Sequence, residues 1–404
     1  MAYTVSIMKY IVVILDGASD HPLEILGSRT PLEVADTPCL DSLTKKGILG
    51  RVRTIPAGFS PSSDVANLSL LGYNPEEFYT GRGPLEAANL GVDLGVDDLA
   101  FRCNLVTEAE DKLFDYSAGH ISNKEAKILI EFLNSQLASD QFKFYFGNSY
   151  RHLLLVKDGK KLGLDKLEYV PPHDIMGQGI GRYMPKGEGS EIITSLMQRS
   201  KDILITHEIN KVRIDLGESP ANMIWLWGCG GKPAMESFKS KFGLSGAVIS
   251  AVDLIKGIGK IIGLEVIEVE GATGYYDTNY LGKAKAGVEA LNKHDFVFIH
   301  IEATDEAGHN QDLRMKIACL ERIDKMILTT IVNELKNSEY KILVTPDHPT
   351  PISIRTHTDE PVPCLVSGTG VTPNDSSSFS EAEAQNSSLF FERGSDLLNF
   401  FFKK

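Results

Sequence analysis

Short apolar runs rich in β-branched residues alternate with helix-period stretches at both ends of the chain. Tyr10 to Gly17, YIVVILDG, is one such run, closed by Asp-Gly as a strand buried on both faces of a parallel sheet would be. Asp295 to Glu302 (DFVFIHIE) and Tyr340 to His348 (YKILVTPDH) have the same texture, and NMIWLWGCG and GAVISAV are further strand candidates. Between them lie helical patterns: TPCLDSLTKKG with its closing Gly, GKAKAGVEALNKH, and a long one from about Asp312 to Lys336. Strands that alternate with helices in this way predict an α/β fold built on a doubly wound sheet.

The middle of the chain breaks the pattern. It holds the Gly-rich TGRGPLEAANLGVDLGVDD, the strand-like FKFYFG and YRHLLLVKDG, and the breaker-rich VPPHDIMGQGIGRYMPKGEGS. This stretch reads as a smaller α+β domain over 74–216, inserted into a larger domain formed by 1–73 and 217–404. The polar VTPNDSSSFSEAEAQNSS near the C-terminus reads as a surface loop before a last amphipathic helix.

At 404 residues the chain is too long for one ordinary domain, which agrees with an interrupted one. Its 42% apolar and 24% charged residues match a soluble enzyme. No apolar run reaches the roughly 18 residues that span a bilayer. The opening MAYTVSIMKYIVVILDG lacks the basic start and small-residue cleavage site of a signal peptide, so a cytoplasmic location without membrane partner is expected. Cys39, Cys103, Cys229, Cys319 and Cys364 are scattered and odd in number, with no CxxC to indicate a disulfide framework or a thiolate zinc site. The net charge of −13 argues against a nucleic-acid partner. A small anionic substrate needs only a few local cations and stays open.

Three predicted strands carry possible metal ligands just past their C-terminal ends: Asp16, Asp305, and Asp347 with His348. That edge is where open α/β sheets build sites. His309 follows Asp305 by one helical turn, and His357 follows after a loop long enough to fold back over the same edge. Carboxylates mixed with imidazoles suit manganese, zinc or magnesium-like ions, and so many ligands imply a pair of them. A lone loop histidine is ordinarily just solvated. It is the joint placement of His309, His348 and His357 with aspartates at strand ends that indicates metal, whereas His300, alternating with apolar neighbours, reads as a sheet histidine. A nucleophile is offered by GFSPSSDVANLSLLGY, where Ser62 and Ser63 precede an apolar-periodic helix whose N-terminus suits a phosphoryl group. Their bland role would be to cap that helix.

The segments LDGASD, PSSDVANLSLLGY, GRGPLEAANLGV, SAGHIS, GAVISAVDLIKGIG, VEGATGYYDTNY, HIEATDEAGH and PDHPTP…RTHTDEPVP together resemble the archaeal-type 2,3-bisphosphoglycerate-independent phosphoglycerate mutases of the alkaline phosphatase superfamily. The likeness runs from about Lys9 to Pro363. It implies an alkaline phosphatase-like metal domain split around an inserted transferase domain. It also implies interconversion of 3-phosphoglycerate and 2-phosphoglycerate through a phosphoserine, with no 2,3-bisphosphoglycerate. By motif position Asp305, His309 and His357 would hold one divalent ion, and Asp16, Ser63, Asp347 and His348 the other, with manganese foremost and zinc, cobalt or magnesium as alternatives. Ser63, directly before Asp64-Val65, falls at the nucleophile position. His120 falls at the acid/base position, and Lys256 lies in a substrate-binding segment.

Such a reaction needs clamps for phosphate and carboxylate, and Arg82, Arg102, Arg151 and Arg182 are the candidates. SAGHIS, YRHLLLVK, PPHD and SPANMIWLWG are shared with a homoserine kinase-like bacterial branch, which keeps the same metal and serine positions and remains an alternative, as does a metal-dependent phosphatase. No nucleotide motif favours the kinase: GCGGKP lacks the first Gly and the final Ser/Thr of a P-loop. The oligomeric state is not legible.

Overall fold

A computed structural model describes residues 8–403, so the first seven residues of the opening segment read above as lacking a signal start lie outside the described residues. In chain order the strands are β1 (Lys9–Leu15), β2 (Gly47–Val52), β3 (Leu99–Ala109), β4 (Lys112–Asp115), β5 (Phe142–Asn148), β6 (Arg151–Val156) and β7 (Met223–Gly231). They continue with β8 (Gly246–Ile249), β9 (Glu265–Val266), β10 (Phe296–Ile301), β11 (Tyr340–Thr345), β12 (Val362–Gly368) and β13 (Phe390–Phe391). The chain divides into two compact units, one made of everything up to Tyr79 and from Met235 onward, the other of Thr80–Ala234.

The first unit holds an eight-stranded sheet in the order β13-β2-β12-β11-β1-β10-β8-β9. Its centre is the parallel trio β11, β1 and β10, each an unbroken run of buried residues after its first position, as parallel strands covered on both faces must be. Isoleucine and valine dominate these strands because a branched side chain packs well on a pleated surface. Alternate residues, among them Ile11, Val13, Leu15, Ile299, Ile301, Ile342 and Val344, form one apolar cluster with the helices on that face. Each such side chain contributes about 1.5–3 kcal/mol by leaving water. The sheet is not wholly parallel, since β12 runs antiparallel to both β11 and β2.

Register is what positions the site. Leu15 lies opposite Ile301 and Ile14 opposite Thr345, so the three central strands end almost level. The next residues, Asp16, Glu302 and Asp347, therefore leave the sheet side by side.

The helix expected over 312–336 is present as Leu313–Arg322 and Thr329–Leu335, joined by a π turn at Ile323–Leu328. That turn carries Asp324, whose carboxylate accepts the backbone N–H groups of Cys39 (3.2 Å) and Leu40 (2.7 Å). It thereby caps the helix Pro38–Lys45, whose own N-cap Thr37 makes no side-chain bond.

In the second unit β3 is flanked by β6 and β7, both antiparallel to it, with β5 beyond β6 and β4 also on β3. Phe101, Leu129, Leu133, Met197 and Trp225 sit in its core, where the helices Asn123–Leu137 and Ser190–Leu204 bury their apolar faces. The sequence reading ended this unit at 216. It extends to Ala234 because β7 completes the β3 sheet, and it begins at Thr80 rather than 74 because Pro75–Phe78 belongs with the first unit. Among the described residues no helix is long and apolar enough to cross a membrane.

Gly17 marks how tightly the strand edge is drawn. It sits at φ +62°, and a Cβ there would lie 2.6 Å from the Asp305 Cα. Gly17→Ala is expected to lower stability by about 2–3 kcal/mol, from left-handed strain together with this backbone clash. Urea unfolding checks this; an unchanged midpoint would mean that the two segments do not meet so closely.

Candidate active site

The level strand ends bring the predicted ligands together. Asp305, His309 and His357 place one ligand atom each within 4.8 Å of one another, and so do Asp16, Asp347 and His348. In the first cluster the helix Ala303–His309 sets Asp305 and His309 one turn apart, with Oδ2 and Nε2 at 3.3 Å. His357 returns from the loop after β11 to put its Nε2 3.3 Å from Asp305 Oδ1. The Nδ1 atoms of His309 and His357 face the backbone carbonyls of Arg355 (3.0 Å) and Pro61 (3.3 Å). A ring nitrogen facing a carbonyl carries the proton, which leaves Nε2 as the lone-pair atom. The two Nε2 atoms are 2.9 Å apart, a spacing that repels unless a proton or a metal ion answers both lone pairs.

The second cluster is buried throughout. Asp347 Oδ1 accepts the N–H groups of Gly17 (3.1 Å) and His348 (2.9 Å), and its Oδ2 accepts from Asn67 (2.8 Å). Asp16 is treated differently. His300 Nε2 lies 3.1 Å from its Oδ2 and His348 Nε2 3.5 Å from its Oδ1, yet both are off the bonding direction, and neither carboxylate oxygen receives a hydrogen bond. Burial, followed by the charges of Asp347, Asp305 and Glu302, pushes the Asp16 carboxyl well above its usual range. A buried carboxylate with no donors is satisfied by a cation, so this donor set fits divalent metal.

Ser63 opens the helix Ser63–Leu70 and puts its Oγ 3.1 Å from His348 Nε2. Ser62 occupies the N-cap position but makes no capping bond; its hydroxyl reaches the Ser60 carbonyl at 3.3 Å. Capping therefore does not account for either serine. Burial, chiefly, keeps the His348 ring below its usual pKa, so its nitrogen is available to a metal ion or to the serine proton.

Residues 44–210 match the profile of the family described as 2,3-bisphosphoglycerate-independent phosphoglycerate mutase. Over 399 residues the chain is 48% identical to the protein of that name from Methanosarcina mazei, covering 98% of this chain and 100% of that one. The chain belongs to this family. It is 49% identical over 397 residues to a probable 2,3-bisphosphoglycerate-independent phosphoglycerate mutase of Geobacter sulfurreducens, covering 97% and 98% of the two chains. Among solved structures, a Pyrococcus horikoshii protein superposes with a TM-score of 0.84 at 33% identity over 98% of this chain and 97% of that one. The cofactor-independent phosphoglycerate mutase of Thermoplasma acidophilum does so with 0.67 at 27% over 98% of each.

In the second unit of this mutase-family chain, three of the four expected arginines converge. Arg102 is buried with its guanidinium carbon 4.5 Å from the centre of the Trp227 ring, and Arg82 approaches the same ring at 5.6 Å. Arg82 and Arg151 both repel the Arg102 charge, which Glu86 Oε1 answers at 2.9 Å from Nε. Arg151 lies over Tyr150 and bonds its hydroxyl at 3.0 Å. Guanidinium groups stacked on aromatic faces have the chemistry that suits an anionic ligand. His120, exposed at φ +50°, has its ring 5.9 Å from that of Tyr150. Arg182 is apart from this group, bonding Gln178 at 3.1 Å and lying over Tyr183. In the first unit Lys256 is held by both oxygens of Glu268, at 2.9 and 2.8 Å, so an anion would have to displace that pair.

Sequence reasoning passed over several neighbours of the predicted metal ligands. Asn67 stands one helical turn beyond Ser63 and bonds both its carbonyl and Asp347, a spacing visible in the sequence. Thr350 donates to Asp305 Oδ1 at 2.5 Å, and its position two residues past His348 was a similar hint. His300, read as a plain sheet histidine, is indeed buried in the sheet but faces Asp16, with burial pushing its pKa down to about 4. Glu302 and Lys283 carried no sequence signal beyond their place in a strand end and a helix.

Burial opposes a charged His309, but Asp305 at bonding distance outweighs this and pushes the imidazole up to about 9. Burial likewise raises the Asp305 carboxyl, and the facing His309 and His357 more than reverse it, holding it well below the usual range. The sign follows from both. A raised histidine stabilises below its unfolded pKa and loses that as pH climbs through about 9, while a depressed carboxylate stabilises above about pH 4 and loses it in acid. In metal-free protein an NMR titration should find His309 titrating near pH 9 and moving back toward 6.5 in Asp305→Asn. A wild-type midpoint already near 6.5 would show that the pair does not form.

Proposed function

We propose that this chain interconverts 3-phosphoglycerate and 2-phosphoglycerate by carrying the phosphoryl group on Ser63, without 2,3-bisphosphoglycerate, and with two divalent ions, manganese foremost. The observation that carries the reading is the Ser63 hydroxyl at the start of a helix, 3.1 Å from His348 Nε2, beside two Asp/His clusters whose Asp16 oxygens have no donors.

Asp305, His309 and His357 would hold one ion, and Asp16, Ser63, Asp347 and His348 the other. Bound there, the ions lower the pKa of the serine hydroxyl and screen the phosphoryl charge. The remaining work belongs to the chain. The Ser63 oxygen forms a bond to phosphorus as the substrate's ester bond breaks, and the departing glycerate oxygen takes a proton. Backbone N–H groups at the start of the helix Ser63–Leu70 favour the anion. Asn67 and Gly17 fix the Asp347 rotamer, and Thr350 fixes Asp305. In the other unit Arg82, Arg102 and Arg151 are assigned to the substrate's anionic groups, and Arg182 there and Lys256 in the first unit are further assignments, each now bonded to a side chain that an anion would have to displace. His120 is assigned the proton exchanged with the glycerate hydroxyls. The return step reverses the first, with the neighbouring hydroxyl attacking phosphoserine.

Manganese-loaded protein given labelled 3-phosphoglycerate should yield labelled 2-phosphoglycerate with little free phosphate. Phosphate as the main product would mean a phosphatase, and phosphorylation of homoserine from ATP would mean a kinase. Ser63→Ala should lose at least about three orders of magnitude in turnover, as removal of a nucleophile does. His120→Ala should still accumulate phosphoserine but return it slowly; no phosphoserine at all would remove His120 from the return step. His309→Ala and Asp347→Ala should each bind less manganese by elemental analysis, and unchanged content in both would place the ions elsewhere.

A further inference from the structure

Beside the two ligand clusters lies a buried ion pair that supplies no ligand to either. Lys316, on the helix Leu313–Arg322, has no solvent exposure, and Asp20, four residues past Asp16, is buried with it. Lys316 Nζ and Asp20 Oδ2 stand 2.7 Å apart. The same ammonium donates to the carbonyls of Ser19 (3.3 Å) and Thr350 (2.9 Å), so all three of its hydrogens are engaged. Asp20 Oδ2 in turn accepts the Ile352 N–H at 3.2 Å, and the Ser19 carbonyl accepts the Thr350 N–H at 3.2 Å. One charge pair thus ties the segment that leaves β1 to the segment just past His348.

Stability alone does not account for such a pair, since apolar residues of the same volume serve a buried position as well or better. What the pair holds is Thr350. The Thr350 hydroxyl donates to Asp305 Oδ1 in one cluster at 2.5 Å and lies 3.3 Å from His348 Nδ1 in the other. A hydroxyl has a single hydrogen, and with that hydrogen given to Asp305 its oxygen accepts from His348 Nδ1. The His348 proton is thereby kept on Nδ1, which leaves Nε2 bare toward Ser63 and Asp16. Thr350 is also hemmed in by the helix that carries Asp305 and His309, where a Cβ on Gly308 would lie 2.4 Å from the Thr350 carbonyl oxygen.

We propose that Lys316 and Asp20 are positioning residues that set the two ligand clusters relative to each other, by clamping Thr350 where its one hydroxyl bonds a ligand of each. Neither residue touches an ion or the substrate. Without the clamp the Thr350 backbone loses its hold, the hydroxyl no longer fixes the Asp305 rotamer and the His348 ring together, and both clusters bind metal more weakly. The inference rests on the two-ion reading above.

The test is calorimetric titration of Mn2+ into the metal-free full chain. Asp20→Asn with Lys316→Met removes the clamp while leaving the net charge unchanged, and should weaken Mn2+ binding about ten- to hundredfold. Thr350→Val should weaken it to a similar extent and Thr350→Ser restore it. Combining Thr350→Val with the pair variant should cost no more than the worse of the two, because both break one linkage. A pair variant that binds Mn2+ with wild-type affinity overturns the proposal, including one in which only the fraction of binding-competent chains falls, as a merely structural role would give. Losses that add in the combined variant overturn it too, since the clamp would then act by another route than Thr350. Should the pair variant not fold, Lys316→Gln replaces it, with an arm long enough for Asp20 but too short to hold three oxygens. Loss of a positive charge would by itself tighten metal binding, so weaker binding by Lys316→Gln supports positioning, and equal or tighter binding overturns it. Wild type that binds no Mn2+ removes the two-ion reading, and this inference with it.

Discussion

Four acidic side chains leave the same edge of one sheet, and most of the site's construction answers the repulsion among them. Asp16, Asp305 and Asp347 are buried, and Glu302 half-buried beside them. Carboxylates this close in a dry setting cannot all stay ionised without positive charge or donors nearby. The fold answers Asp347 and Asp305 by different means. Asp347 takes two backbone N–H groups and the Asn67 amide, and Asp305 takes Thr350 and two imidazoles. Asp16 alone among them has no hydrogen-bond donor on either oxygen, which is why the centre reads as one completed by cations.

This economy depends on strand register. A shift of one residue in β1 against β10 or β11 would turn Asp16 to the opposite face of the sheet and leave its neighbours facing an apolar side chain. The buried β-branched core of the first unit therefore does more than stabilise it. By holding register, it holds the ligand atoms of each cluster within 4.8 Å of one another. Gly17 belongs to the same constraint, since the turn after β1 must pass too close to Asp305 for any side chain to fit.

The second unit handles charge by the opposite means. Arg102 pairs with Glu86, Arg82 and Arg151 add positive field around it, and aromatic faces of Trp227 and Tyr150 support the guanidinium planes. Flat, weakly hydrated cations on aromatic rings keep their donors aimed outward at lower cost than lysines would. A cluster of carboxylates marks the first unit and a cluster of guanidinium groups the second.

Much of this was readable from the chain alone because it is local. Strands declare themselves by short β-branched runs, Asp16 and Asp347 by following such runs directly, and the Asp305 and His309 pair by helical spacing. Resemblance of the motifs then separated Ser63 from Ser62. What local pattern could not carry was anything decided by which distant surfaces meet. Ser63 and His348 are 285 positions apart, and nothing in either segment states that they touch. The end of the second unit was misplaced because a strand's partner is not written in its own residues: β7 looks like any apolar strand until β3 pairs with it. Arg182 and Lys256 look like free cations in sequence, and only the fold sets Gln178 and Glu268 beside them. Lys283 is the extreme case, an ordinary helical lysine by composition, whose burial and bond to the His300 carbonyl exist only because the helix that carries it packs against β10. Periodicity and ligand type are properties of short stretches, and a sequence states them; desolvation and charge pairing are properties of enclosed space, and tertiary structure alone decides them.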